Sequence, residues 1–121
     1  MALVDLIAEL QAAPEGSGNL DVSIAVATGY GREVLDSRGE QRFLWLQADG
    51  KQAKSAPSFT TSLQDAHELA QRIFPERHGG FAYLEDGTGR AILDGVRECE
   101  AATPALALCA AILTALDQDG D

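Results

Sequence analysis

The chain has 121 residues, enough for one domain whose core needs no metal or disulfide to hold it. Its 19 acids against 9 bases give a formal charge of −10, which repels nucleic-acid phosphate and anionic membrane and points to partners with a basic or mixed surface. Apolar residues make up 45% of the chain, the share of a packed protein and more than a disordered one carries.

Residues 2–13 read as a first helix. Leu3, Leu6, Ile7 and Leu10 form one stripe, Asp5 and Glu9 lie opposite, and Pro14 with Gly16 stops it. Those two acids also interrupt the apolar amino-terminal stretch, so no signal peptide is expected there.

Residues 20–28 admit two readings. Leu20, Val22, Ile24 and Val26 alternate with Asp21, Ser23, Ala25 and Ala27, the period of a half-buried strand. A short helix starting near Ser17 and ending at Gly29 fits the same residues, and periodicity alone leans to the strand. Next, residues 42–47 predict a strand covered on both faces, with Phe43 and Trp45 on one side and Leu44 and Leu46 on the other. Residues 33–35 are candidates to pair with it, and Asp49-Gly50 closes it as a turn.

A third helix is predicted over 63–74. Ser62 is its cap, Asp65 completes a weak capping box, and Pro75 ends it. Leu63, Ala66, Leu69, Ala70 and Ile73 face inward. Residues 80–85 and 90–94 flank Asp86-Gly87-Thr88-Gly89 as a β-hairpin.

The last helix, 104–117, has its start written into the sequence. Thr103 can cap the first turn, and Pro104 falls where its missing N–H costs nothing. Leu106, Leu108, Cys109, Ile112, Leu113 and Leu116 share one face and alanines fill the other. The run is too short and too alanine-rich to span a bilayer, and residues 117–121 read as a frayed acidic tail. A single soluble domain in the cytoplasm is the expectation.

Three segments together resemble the phage ABA sandwich domain family, small proteins of phages and prophages: LDVSIAVATG at 20–29, SFTTSLQDA at 58–66 and AATPALALCAA at 101–111. Trp45, the turn Asp49-Gly50-Lys51, and Pro57 are also similar to its pattern. The resemblance implies an α/β/α sandwich, a helix rather than a strand at 19–28, and a phage or prophage origin. It implies no catalytic residues. The fold class expected is therefore α+β in three layers, with about four strands, at least partly antiparallel, and about four helices.

Sites with chemistry are scarce. His67-Glu68 starts like a zinc-protease motif, but Gln71 stands where the second histidine belongs, so a structural or surface histidine is expected. Gly29-Tyr30-Gly31 lacks the third glycine of a dinucleotide fingerprint, and Asp86-Gly87-Thr88-Gly89 lacks the acidic spacing of a calcium loop. A nucleophile needs a base held beside it, and only His67 and His78 are available. Thr60, Thr61 and Ser62 have capping work to do. Cys109 should be buried and inert, Cys99 nearer an element end and the more reactive thiol; a disulfide between them is not expected. The acid pairs Glu85/Asp86 and Glu98/Glu100 read as solvated surface. No catalytic residue, cofactor site or metal site is assigned.

Phe43, Trp45, Phe81 and Tyr83 are the clustered aromatics. If their strands are neighbours they pack one sheet face under a helix, the favoured reading; if that face is uncovered they form an interaction patch. The functional expectation is a non-enzymatic protein-interaction module that does not bind nucleic acid directly. Two alternatives stand beside it. One is a protein, or weak enzyme, for a small ligand or nucleotide derivative; the other is an acidic mimic of DNA, for which the acids are too scattered.

Overall fold

The computed structural model describes residues 3–37, 40–46, 52–53 and 56–119, with 31–37, 40–46, 52–53 and 119 described through their backbone. Four helices and six strands run in the order α1 (Leu3–Ala12), α2 (Gly18–Ala27), β1 (Gly31–Ser37), β2 (Glu40–Leu46), β3 (Gln52–Ala53), α3 (Leu63–Ile73), β4 (Gly79–Tyr83), β5 (Gly89–Leu93), β6 (Cys99–Ala101) and α4 (Pro104–Asp119). The fold is α+β. Its strands make two antiparallel sheets, ordered β1-β2-β3 and β4-β5-β6, so the strand count exceeds the expected four. The pairing of 33–35 with β2 is present, within a register that runs from Gly31 opposite Leu46 to Ser37 opposite Glu40. The turn at Asp49-Gly50 lies outside the described residues.

Helix α4 is the centre of the molecule. The Thr103 hydroxyl accepts the Leu106 N–H at 3.2 Å and its carbonyl accepts the Ala107 N–H at 3.0 Å, so both halves of the expected cap are made. Every residue from Ala105 to Ala115 is buried, the alanines included. The second sheet, α1 and α3 all pack on this helix, and the Phe59 carbonyl accepts from Cys109 Sγ at 3.3 Å. The alanine side is therefore a second packing face. The Thr114 hydroxyl, buried on this helix, donates to the Ala110 carbonyl at 2.7 Å, which offsets the cost of burying it. The helix runs on to Asp119, so residues 117–119 are helical rather than a frayed tail.

The layering matches a sandwich only roughly, because the layer enclosed from several sides is α4. Along β5, Ala91 and Leu93 are buried against the helices while Arg90 and Ile92 face out exposed. That outer sheet face is the one a second helical layer would have covered. At the start of β5, Gly89 sits directly against the backbone of Thr103 and Pro104, with no room for a Cβ.

Residues 18–27 are helical, as the resemblance implied and the alternation did not. The reason is Asp21. It is buried with Ile24 and Ala25 on the inner face of α2, so a polar residue occupies an inward position and blurs the helical pattern. Ser17 caps the helix by accepting the Leu20 N–H at 3.2 Å. In α3, Ser62 accepts the Asp65 N–H at 3.2 Å. The Asp65 carboxylate reaches the Ser58 N–H at 3.0 Å rather than that of Ser62, which makes half of a capping box and pins the preceding loop. The hairpin between β4 and β5 forms as expected. Leu84 N–H donates to the Thr88 carbonyl at 2.8 Å, and Gly87 takes the positive φ of 87° that the turn requires.

Strand β6 has no counterpart in the sequence reading. It pairs Cys99 with Ala91 and Ala101 with Gly89, and its Cys99 and Ala101 are buried between exposed Glu98 and Glu100.

Candidate functional site

The four aromatics do not form one cluster. Phe43 and Trp45 belong to β2 of the first sheet and their side chains lie outside what is described. Phe81 and Tyr83 belong to β4 of the second. Phe81 pairs with Ala91 and Tyr83 with Gly89. Opposed residues share a face, so both rings lie on the side that α4 covers above β5. Strand β4, however, is the edge, where α4 covers less: Phe81 is 45% exposed and Tyr83 81%. Core packing, the favoured expectation for this pair, is corrected by that exposure.

Between β4 and α3 runs a groove of about 290 Å³. His67 and His78, which look unrelated in the sequence, both line it, together with Phe74, Arg77, Phe81 and Leu108. The His67 ring meets Phe81 edge-on, centroids 6.2 Å apart. Arg77 lies 4.6 Å over the Phe74 ring and donates through Nη1 to the Asp94 carbonyl at 3.2 Å. The groove has aromatic walls and a cationic rim. No hydroxyl, thiol or carboxylate side chain is among its lining residues, and its two imidazoles, His67 and His78, are the groups there that could take or give a proton. Sequence reasoning named Phe81 and both histidines, yet missed the groove. Pro75 and Gly79-Gly80 were the signal, because together they swing an edge strand back alongside the helix before it.

The thiols are both buried, and this corrects the expectation for Cys99, which is 0% exposed on β6. Its Sγ lies 3.8 Å from Thr114 Oγ1 on α4. Burial pushes the Cys109 thiol well above its ordinary range, and the nearby Asp21 carboxylate pushes it further. Asp21 itself is only 8% exposed and its Oδ1 accepts both the Thr60 N–H, at 2.8 Å, and the Thr60 hydroxyl, at 2.7 Å. The Ser17 N–H in turn donates to Thr60 Oγ1 at 3.0 Å. This clamp ties the start of α2 to the loop before α3.

The remaining candidates have structural work. Tyr30 follows α2, is buried, stacks edge-on with Phe59 at 6.0 Å and lies 5.0 Å beneath Arg72. Helix-to-strand is the reverse of a dinucleotide-binding turn. Asp86 Oδ1 accepts the Thr88 hydroxyl at 2.6 Å and its N–H at 3.0 Å, and these bonds hold the carboxyl below its usual range. Glu98 and Glu100 both pair with Arg90 at the surface. Among the described residues no three His, Cys, Asp or Glu side chains converge on one point, and no helix is long and apolar enough to cross a membrane.

Set against family models, characterised proteins and solved structures, the chain gives no match.

Proposed function

We propose that this chain is a non-enzymatic accessory protein of phage or prophage type, working in the bacterial cytoplasm by binding another protein through the β4 edge. One observation carries the reading. Among the described residues no strand lies on the outer side of β4, and that edge bears two exposed aromatics, Phe81 and Tyr83, beside a groove lined by no hydroxyl, thiol or carboxylate side chain. Strand edges and large aromatics are what protein partners use. The groove sits at the small end of ligand sites and lies open along the strand, which suits a partner's side chain better than a small molecule. The resemblance at 20–29, 58–66 and 101–111 supports the origin. The charge of −10 supports a partner with a basic or mixed surface and argues against nucleic acid.

The test is capture of partners by tagged chain, wild type against Phe81→Ser/Tyr83→Ser. Loss of capture with an unchanged melting curve is expected, and capture that ignores both substitutions overturns the reading. Gel shifts at low salt, where phosphate binding is strongest, should leave duplex and single-stranded nucleic acid unmoved.

A further inference from the structure

We infer that the β4 edge is extended by a strand from a partner protein, a segment that puts a large apolar side chain into the groove and, two residues along, a lysine or arginine over Tyr83. The inference rests on β4 being the binding edge and names what binds there.

The hydrogen-bond phase of the hairpin fixes which backbone groups such a strand would meet. His78 accepts from the Asp94 N–H at 2.9 Å, and Leu84 donates to Thr88 at 2.8 Å. In an antiparallel ladder the bonding groups alternate sides along the strand. Gly80 and Ala82 therefore also turn toward β5, while Gly79, Phe81 and Tyr83 aim their N–H and C=O groups at the outer edge. Edges that stay single are blunted by charge, proline, shortness or cover. The far edge of the sheet, β6, is treated in this way: it has three residues, carries Glu100 and is flanked by α1. Strand β4 has five residues, Gly-Gly-Phe-Ala-Tyr, with neither charge nor proline. Its outer groups are laid out for strand addition.

The groove sets the first side-chain preference. Residues opposed across a ladder share a face, so the partner residue opposite Phe81 projects to the α4 side of the sheet, where the groove lies. Helix α3 packs on α4 but only marginally on β4, which leaves the groove open between helix and strand. Ala70 and Phe74 line it from α3, Phe81 from β4, and Leu93 and Leu108 from β5 and α4. A large apolar side chain takes this surface out of water together with its own.

Charge sets the second preference. At the start of β4, Glu76 is followed by Arg77 and the two charges cancel. At its end Glu85 and Asp86 are both exposed, and the next base along the chain, Arg90, is already paired with Glu98 and Glu100. The partner residue opposite Tyr83 lies on the same face as the one opposite Phe81, beside the most exposed large aromatic of the described residues. A lysine or arginine there lays its charge over the Tyr83 ring and toward Glu85. The chain's charge of −10 favours the same choice.

Two dye-labelled, terminally blocked peptides test the inference: Thr-Val-Thr-Leu-Thr-Arg-Thr and its reversed sequence, which offer the pattern to a parallel and to an antiparallel strand. Fluorescence anisotropy with the full chain should show saturable binding of one of them. Changing the peptide arginine to glutamate should weaken it about tenfold or more. Glu85→Arg in the chain should do the same to the arginine peptide, and the two changes together should restore binding. In the saturated complex the Phe81 and Tyr83 amides should exchange slowly, as paired amides do. Binding that leaves both amides as fast as in the free chain overturns strand addition, and binding indifferent to the charge reversals overturns the basic residue. If neither peptide binds at about 1 mM, the inference falls. The reading of the edge is then judged apart from it: capture that still depends on Phe81 and Tyr83 keeps that reading, and capture indifferent to them overturns it as well.

Discussion

Helix α4 and strand β4 are neighbours in the fold and spend their apolar residues in opposite ways. Along α4 every side chain from Ala105 to Ala115 is shielded, small ones and large ones alike. Along β4 the two largest side chains, Phe81 and Tyr83, are 45% and 81% exposed. The core closes around α4 and leaves β4's aromatics largely outside it, open to the contact proposed above. Burial is concentrated in the helix and exposed aromatic surface in the edge.

Removing the helix is the largest perturbation. Leu106, Leu108, Ile112 and Leu113 are each almost or fully buried. Each contributes roughly 1.5–3 kcal/mol against a whole-domain stability of about 5–15 kcal/mol. A chain ending before Thr103 should show no cooperative thermal transition by circular dichroism; a sharp melt would move the centre of stability elsewhere.

Asp21→Ala comes next. It strips a buried Thr60 N–H of its acceptor, which costs about 1–3 kcal/mol in urea unfolding. Asp21→Asn keeps an acceptor oxygen and should lose less.

The Cys109 thiol gives a pH signature. Its ordinary value is 9.0 and burial raises it in the folded chain. Below pH 9.0 the thiol is neutral in both states and contributes no slope. Above it the unfolded chain loses a proton that the folded chain keeps, so stability falls by about 1.4 kcal/mol per pH unit. Cys109→Ala should remove that part of the alkaline slope. Both native thiols should resist labelling until denaturant is added, since both are buried out of a reagent's reach.

Tyr83→Ser is the smallest change in stability, within about 0.5 kcal/mol as for any exposed position. A loss well beyond that would mean that β4 shares the core's work and would erase the contrast with α4.

Much of this division is written in local chemistry. The Thr103-Pro104 start of α4, the Ser62 cap of α3 and the hairpin turn at Asp86 to Gly89 depend on neighbours in the chain, and they form as the residues suggest. What escaped depends on distant residues. Asp21 reads as a solvent-facing acid until Thr60 is brought to it from 39 positions away, and its inward position made α2 look like a strand. Strand β6 was visible only as the alternation of Glu98, Cys99, Glu100 and Ala101, too brief to register, so Cys99 looked exposed. At the site, Phe81 and Tyr83 could be singled out from type alone, but as core residues first and as a possible patch second, since type does not tell how much of a strand is covered. Their separation from Phe43 and Trp45 followed from the strands forming two sheets, which no local pattern encodes.

Native-state hydrogen exchange, read amide by amide in dilute solution, tests the division most directly. The account predicts that amides of α4 from Ala107 to Leu116 exchange only through global unfolding, while in β4 protection alternates, with Ala82 and Leu84 slow and Phe81 and Tyr83 fast. Exchange in α4 as fast as at the outward amides of β4 would contradict it.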